Sequence, residues 1–141
     1  MPIRYAVAPG TLLLCDFSKG GFRAPEMVKR RPAVVVSPRL PYRDGLCAVV
    51  PLSTTPPAHE VAYAVKIELE APLPAPFDFP VCWAKCDMIA TVAFERLDLF
   101  RTARDASAKR KYFTPKLSQD LFEAVQRGIL AGLGIELEKF R

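Results

Sequence analysis

Apolar residues in this chain fall in short runs separated by stretches rich in proline, glycine and charge. The first run, Thr11–Phe17 (T-L-L-L-C-D-F), follows the turn signal Pro9-Gly10 and reads as a strand. The second, Pro32–Ser37 (P-A-V-V-V-S), is mostly β-branched, as expected of a strand buried on both faces. Pro32 is expected as its first residue, because a proline further in removes a ladder hydrogen bond. Leu46–Leu52 follows the hairpin-type turn Asp44-Gly45, leads into Ser53-Thr54-Thr55 and is stopped by Pro56-Pro57. Val61–Leu69 alternates loosely and reads as a fourth, half-exposed strand, and Val81–Ile89 as a fifth. Thr91–Phe100 reads as a short helix with Glu95 and Arg96 outward and Leu97 inward. Arg101–Lys111 then reads as a charged turn and Tyr112–Thr114 as a short last strand.

The pattern then changes period. Leu117, Leu121, Val125, Ile129 and Leu133 recur every fourth residue and make one apolar helical face. Ser118 is the expected N-cap, with Asp120 in the first turn and Gly134 just past the end. Five or six short strands followed by one terminal helix predict a small, strongly curved antiparallel sheet or barrel, mainly β or α+β.

Composition narrows the class. A chain of 141 residues, half of them hydrophobic, is expected to form one globular domain, residues 1–141. No apolar run approaches ~20 residues, so no membrane span is expected. Met1–Val7 lacks the features of a signal peptide, and the expected location is cytoplasmic. The net charge of +5 fits an anionic partner such as nucleic acid, or simple solubility. Cys15 and Cys47 lie in strand-like runs and are expected as small core residues. Cys82 and Cys86 on one strand stand roughly 13 Å apart, too far to share a zinc ion by themselves. No metal, cofactor or disulfide is expected.

The candidate chemistry clusters at Glu26–Ser37 (E-M-V-K-R-R-P-A-V-V-V-S). Lys29, Arg30 and Arg31 are placed where a loop becomes a rigid strand, a few residues after the carboxylate of Glu26. A guanidinium held beside a carboxylate suits phosphate esters, and the alternative is a merely solubilising loop. The long preceding loop contains Gly20-Gly21, but no Gly-Lys-Ser/Thr follows to make a phosphate-binding P-loop. His59 is the single histidine, which excludes a two-histidine nuclease mechanism, and it is expected at the surface. Phe79 and Trp83 are of the type that stacks on exposed bases, with core burial the alternative for Trp83.

Taken together, these segments resemble the PemK/MazF family of toxins, sequence-specific endoribonucleases of toxin–antitoxin systems. The resemblance runs through Pro9-G-T-L-L-L-C-D-F, Glu26-x4-Arg31-Pro32-A-V-V-V-Ser37-Pro38, Val49-V-P-L-Ser53-Thr54 and Lys85-C-Asp87, over about residues 9–93. It implies an SH3-like barrel of five to seven antiparallel strands over about 9–115 and a C-terminal helix over about 118–133. It also implies a homodimer, a cognate antitoxin as partner, and metal-independent cleavage of single-stranded mRNA that inhibits translation and growth. The residues it marks as catalytic are Arg31, Ser53 (where the family often has Thr), Glu26 and Asp87. Lys85 supports them, and Arg30, Thr54, Lys85 and Arg39 are the expected RNA contacts. Arg39, Arg43, Lys85, Arg96 and Arg101 are either a phosphate track or an ordinary solvated face. In such a reaction Glu26 or Asp87 would be the base, Arg31 would stabilise phosphoryl charge and Ser53 would donate to the phosphate. The Pro-rich segment Pro72–Pro80 and the basic turn Arg101–Lys111 depart from compact family members. The alternative function is a non-catalytic SH3-like binding module, or a toxin that acts by binding a protein.

Overall fold

The fold is taken from a computed structural model that describes residues 2–104 and 110–141. In chain order its strands are β1 (Leu12–Asp16), β2 (Arg30–Val35), β3 (Leu46–Ser53), β4 (Ala64–Glu68), β5 (Val81–Lys85), β6 (Ala90–Ala93), β7 (Leu97–Asp98), β8 (Phe100–Arg104) and β9 (Arg110–Phe113). One helix, α1 (Gln119–Gly132), follows. The first seven strands make one antiparallel sheet in the order β4-β5-β3-β2-β1-β7, with β6 also on β3, while β8 and β9 pair with each other.

The apolar runs explain why β1, β2 and β3 are central. Leu12, Leu14, Val34, Val50 and Leu52 pack on one face with Leu73, Phe100 and Val125. Leu13, Cys15, Ala33, Val35 and Val49 pack on the other with Phe17, Val92 and Leu97. A sheet covered on both faces demands continuous rather than alternating hydrophobicity, which is what these three segments carry.

The mainly β architecture with a C-terminal helix is as expected, but the sheet is open and not a closed barrel. No ladder among the described residues joins its outer strands β4 and β7. Instead, β6 on the edge of β3 is connected to β7 on the edge of β1 by a 3-10 turn, Phe94–Arg96. The helix expected over Thr91–Phe100 is therefore replaced by strand, 3-10 turn and strand. Short apolar runs fit either period, and here the free edges of β3 and β1 offered ladder partners to β-branched residues such as Val92. The flanks of the expected turn Arg101–Lys111 are strands β8 and β9, and its centre, 105–109, lies outside the described residues.

Prolines shape the sheet more than their number suggested. Pro32 is the third residue of β2, not the first, and pairs with Leu14 of β1. On its other side the β2–β3 register runs from Val35↔Val49 only to Ala33↔Pro51. The amide that Pro32 lacks would have faced β3, so the proline ends that ladder and leaves the β1 ladder intact. Pro51 sits between the part of β3 that pairs with β6 (Leu46–Val49) and the part that pairs with β5 (Leu52 and Ser53).

The terminal helix starts where expected: the Ser118 hydroxyl accepts from the Leu121 amide at 3.2 Å. Gly134 has a positive φ of 69°, as a residue that ends a helix often does. Its docking rests on two glycines four residues apart. A Cβ on Gly128 would lie 2.7 Å from Cys86 Sγ, and one on Gly132 3.0 Å from the Cα of Asp87. The helix thus lies directly on the 3-10 turn Cys86–Met88. Leu133, expected on the apolar face, is exposed. No helix among the described residues is long and apolar enough to cross a membrane.

Candidate functional site

Where Pro32 ends the β2–β3 ladder, the two strands part and a cleft of about 230 Å³ opens. One wall is Lys29, Arg30, Arg31 and Pro32, and the facing wall is Leu52, Ser53, Thr54 and Thr55. The remaining side is apolar: Leu69, Leu73, Pro76, Phe77, Phe79 and Cys82. The cations and hydroxyls meet because they belong to the ends of adjacent strands, two antiparallel neighbours whose register is fixed by the core.

Three consecutive cations share this cleft, and no carboxylate is among its described lining residues. Arg31 is opposite Cys15 in β1, and its Nε is buried without a hydrogen-bond partner. Burial holds the guanidinium below its ordinary pKa, yet a group of this basicity stays charged near neutral pH. A buried donor on a cation, unmatched by the protein, favours an anion that brings its own oxygen. Arg30 is drawn the other way, with its Nη2 4.0 Å from Asp98 Oδ2, a carboxylate that also lies 3.5 Å from Arg101 Nη2. Arg30, Pro76 and Phe77 also line a second cavity of about 220 Å³, together with Asp98 and Arg101. Ser53 Oγ accepts from the Thr55 amide at 3.1 Å, and a hydroxyl that accepts still has its own hydrogen to give.

The β1–β2 connection is tied down from a distance. Arg96 Nη1 donates to the carbonyls of Asp16 (3.0 Å) and Lys19 (2.7 Å), and its Nη2 to that of Gly20 (2.9 Å). The same guanidinium lies 4.7 Å from the centre of the Phe22 ring. At the far end the Phe17 amide donates to the Lys29 carbonyl at 3.3 Å, which hands the loop over to β2.

The structure thus brings Arg30, Arg31, Ser53 and Thr54 together and leaves the other expected site residues elsewhere. Glu26 is exposed in the loop before β2 and does not line the cleft. Lys85 ends β5, and Asp87 is exposed in the 3-10 turn under the helix; neither lines the cleft. Arg39 is exposed beyond the opposite end of β2, beside Tyr42 and Asp44. Trp83 is half-buried on β5, opposite Ser53 and Lys66 in register, while Phe79 is 54% exposed in the cleft wall. Lys29 and Thr55 belong to the cleft as well, and their signal was present in the cation run and the hydroxyl run. The wall from the Pro-rich segment had no local signal.

All four cysteines are free and buried. Burial pushes the thiols of Cys15 and Cys86 up to about 12 and those of Cys47 and Cys82 up to about 11. They are therefore neutral core groups, and Cys82 presents the cleft with a thiol and not a thiolate.

Known proteins share this architecture. A solved structure described as an endoribonuclease from mycobacterial species superposes with a TM-score of 0.61 at 17% identity, over 93% of this chain and 94% of that one. An endoribonuclease in complex with its cognate antitoxin, also from mycobacterial species, gives a TM-score of 0.58 at 15% identity, over 93% and 96%. In sequence, the Escherichia coli (strain K12) protein YifN is 27% identical over 150 residues, covering 94% of this chain and 95% of YifN. The profile of one family matches residues 8–132, from the turn before β1 to the end of α1. This chain belongs to the PemK-like, MazF-like toxins of type II toxin–antitoxin systems.

Proposed function

We propose that the chain is a toxin that cuts single-stranded RNA at a recurring short sequence, without a metal ion, by using the ribose 2′-hydroxyl as nucleophile. The observation that carries this is Arg31: a strand-held guanidinium with a buried, unpartnered Nε, in a cleft with two further cations and no lining carboxylate among the described residues. In the reaction the 2′-oxygen bonds to phosphorus and the P–O5′ bond breaks. The products are a 2′,3′-cyclic phosphate and a 5′-hydroxyl, the proton leaving O2′ being balanced by one delivered to O5′. Extra negative charge builds on the phosphoryl oxygens at the transition state. Arg31 stabilises it with a fork that matches two oxygens, and Ser53 donates a further hydrogen bond. Arg30 and Thr54 hold the adjoining backbone. Glu26, Asp87, Lys85 and Arg39 stand outside the cleft lining, so this assignment gives the chain charge stabilisation as its main catalytic contribution. By the same reading the protein acts in the cytoplasm as a homodimer and is held inactive by a cognate antitoxin. The neighbour solved with its antitoxin supports such a partner.

The test is incubation of purified protein with a long RNA in excess chelator, followed by mapping of the cut ends. Cuts in single strands at a recurring motif, with 5′-hydroxyl termini, are expected. Arg31→Ala should lower the rate about 10²–10³-fold, as for loss of one charge-stabilising donor, with an unchanged circular dichroism spectrum. Wild-type protein that is folded yet leaves all RNA intact overturns the enzyme and leaves a binding module.

A further inference from the structure

The cleft has two chemically different halves, and the proposed reaction uses only one. Cations and hydroxyls suffice for a phosphate, but the opposite side is apolar and is built by the Pro-rich segment that joins β4 to β5. Two of its residues belong to the core: Leu73 is buried, and Phe77 meets Phe100 edge-on at 6.2 Å between ring centres. Phe79 does not. It is 54% exposed while lining the cleft, so burial in the core does not explain an aromatic ring there.

Resting on the RNA reading above, we infer that Phe79 and the apolar wall around it form a nucleobase subsite. One base of the RNA stacks on Phe79 while its phosphate meets Lys29, Arg30 and Arg31. Three features point to this ligand. First, the cleft, at about 230 Å³, is smaller than the ~300–1,000 Å³ of a site for a whole small molecule, so it fits one unit of a longer chain. Second, a nucleotide carries a flat apolar face and a negative charge in one unit, matching an aromatic wall that faces three cations. An apolar peptide side chain matches only the wall. Third, the wall is pre-formed: Pro72, Pro74, Pro76 and Pro80 restrict the segment, and the Phe77 amide donates to the Pro74 carbonyl at 3.0 Å. A stacking platform fixed beforehand needs little ordering on binding. Because every base has a π-face, Phe79 supplies affinity and position, and the shape of the wall selects among bases.

The probe is a short, mixed-sequence single-stranded oligonucleotide, 2′-O-methylated throughout so that it cannot be cut, titrated against the full chain at several salt concentrations. Phe79→Ala should weaken binding about tenfold or more, and Phe79→Trp, which keeps a π-face, should restore it. The salt slope should stay that of the wild type in both, since no phosphate contact is removed. Moving a single abasic site along the probe should find one position whose loss costs wild-type protein as much as Phe79→Ala. At that position the variant should lose nothing more. Unchanged affinity in Phe79→Ala, or additive losses at every abasic position, overturns the subsite and leaves the wall to a peptide side chain. Wild-type protein that binds no oligonucleotide overturns the RNA reading itself, a result distinct from failure of the subsite alone.

Discussion

The β1–β2 connection (17–29) and the β4–β5 connection (69–80) both end in the cleft, at Lys29 and at Leu69, Leu73, Phe77 and Phe79. The first contains Gly20 and Gly21, both with positive φ. Phe17 is buried in the core, Phe22 and Met27 pack against it, and only the glycine tip is held by polar contacts, three hydrogen bonds from Arg96 and an Asp16 carboxylate that accepts from Ser18. The second contains four prolines and is ordered by burial of Leu73 and by Phe77 packing on the core. A loop tip held by solvent-accessible hydrogen bonds can open by itself. A loop whose side chains complete the core opens only at a cost close to that of unfolding. The glycine tip is therefore the loosest part of the first connection, while its ends, like the Pro-rich wall, move only with the core.

The strongest way to break the contrast is Leu73→Ala. Removing a buried leucine from the Pro-rich loop should cost about 2–5 kcal/mol of global stability in denaturant titration. A loss under about 1 kcal/mol would mean that this loop is not part of the core.

Alkaline pH probes the roots of both loops, through Cys15 beside the glycine loop and Cys82 under the Pro-rich one. Burial raises both folded-state pKa values, to about 12 and about 11, above the ordinary 9.0. Stability is then complete below pH 9 and falls as pH climbs towards the folded values, because the unfolded chain loses protons first. The slope should approach about 1.4 kcal/mol per pH unit for each buried thiol. Cys15→Ala and Cys82→Ala should each flatten it, and a pH-independent midpoint up to pH 10.5 (roughly the range of a lysine titration) would contradict the burial.

Arg96→Ala acts on one loop alone. Its hydrogen bonds are partly exposed, so the global loss should be only about 1 kcal/mol. Trypsin should nevertheless cut the variant much faster at Lys19 and Arg23, both exposed in that loop, while chymotrypsin should cut the Pro-rich segment after Phe77 no faster than in wild type. Equal trypsin cutting in variant and wild type would show that the loop is ordered by something else.

The smallest effect is expected at Asp16, whose carboxylate accepts from the Ser18 amide at 2.8 Å and from the Ser18 hydroxyl. The Ser18 hydroxyl is the main cause holding its pKa below the ordinary 3.8. That stabilisation is present above pH 3.8 and fades as pH falls through the lower folded value. Asp16→Ala should cost about 0.5 kcal/mol at neutral pH and abolish the acid loosening of the glycine loop. Acid loosening that persists in the variant would assign it to another group.

Local pattern by itself fixed much of this protein. The central strands are legible in T-L-L-L-C-D-F, P-A-V-V-V-S and L-C-A-V-V-P-L, because burial on both faces requires unbroken apolar runs. The helix start is legible at Ser118, because a cap is a contact between residues three apart. That Arg31 and Ser53 would share a cleft is legible only through the family resemblance, and the β2–β3 register brings them together as cleft-lining residues. Tertiary structure decided the rest. Whether Thr91–Phe100 became helix or strand depended on free edges supplied by β1 and β3, far away in the chain. Pro32 gained its role only when β3 lay beside it: a missing amide opens a cleft only where a ladder would otherwise continue. The Pro-rich segment carries no strand or helix period, so its place opposite the cations is set by the core pockets that receive Leu73 and Phe77. Nearest-neighbour patterns are written along the chain, whereas a cleft made from residues 29–32, 52–55 and 69–82 exists only once sheet register and core packing have joined them.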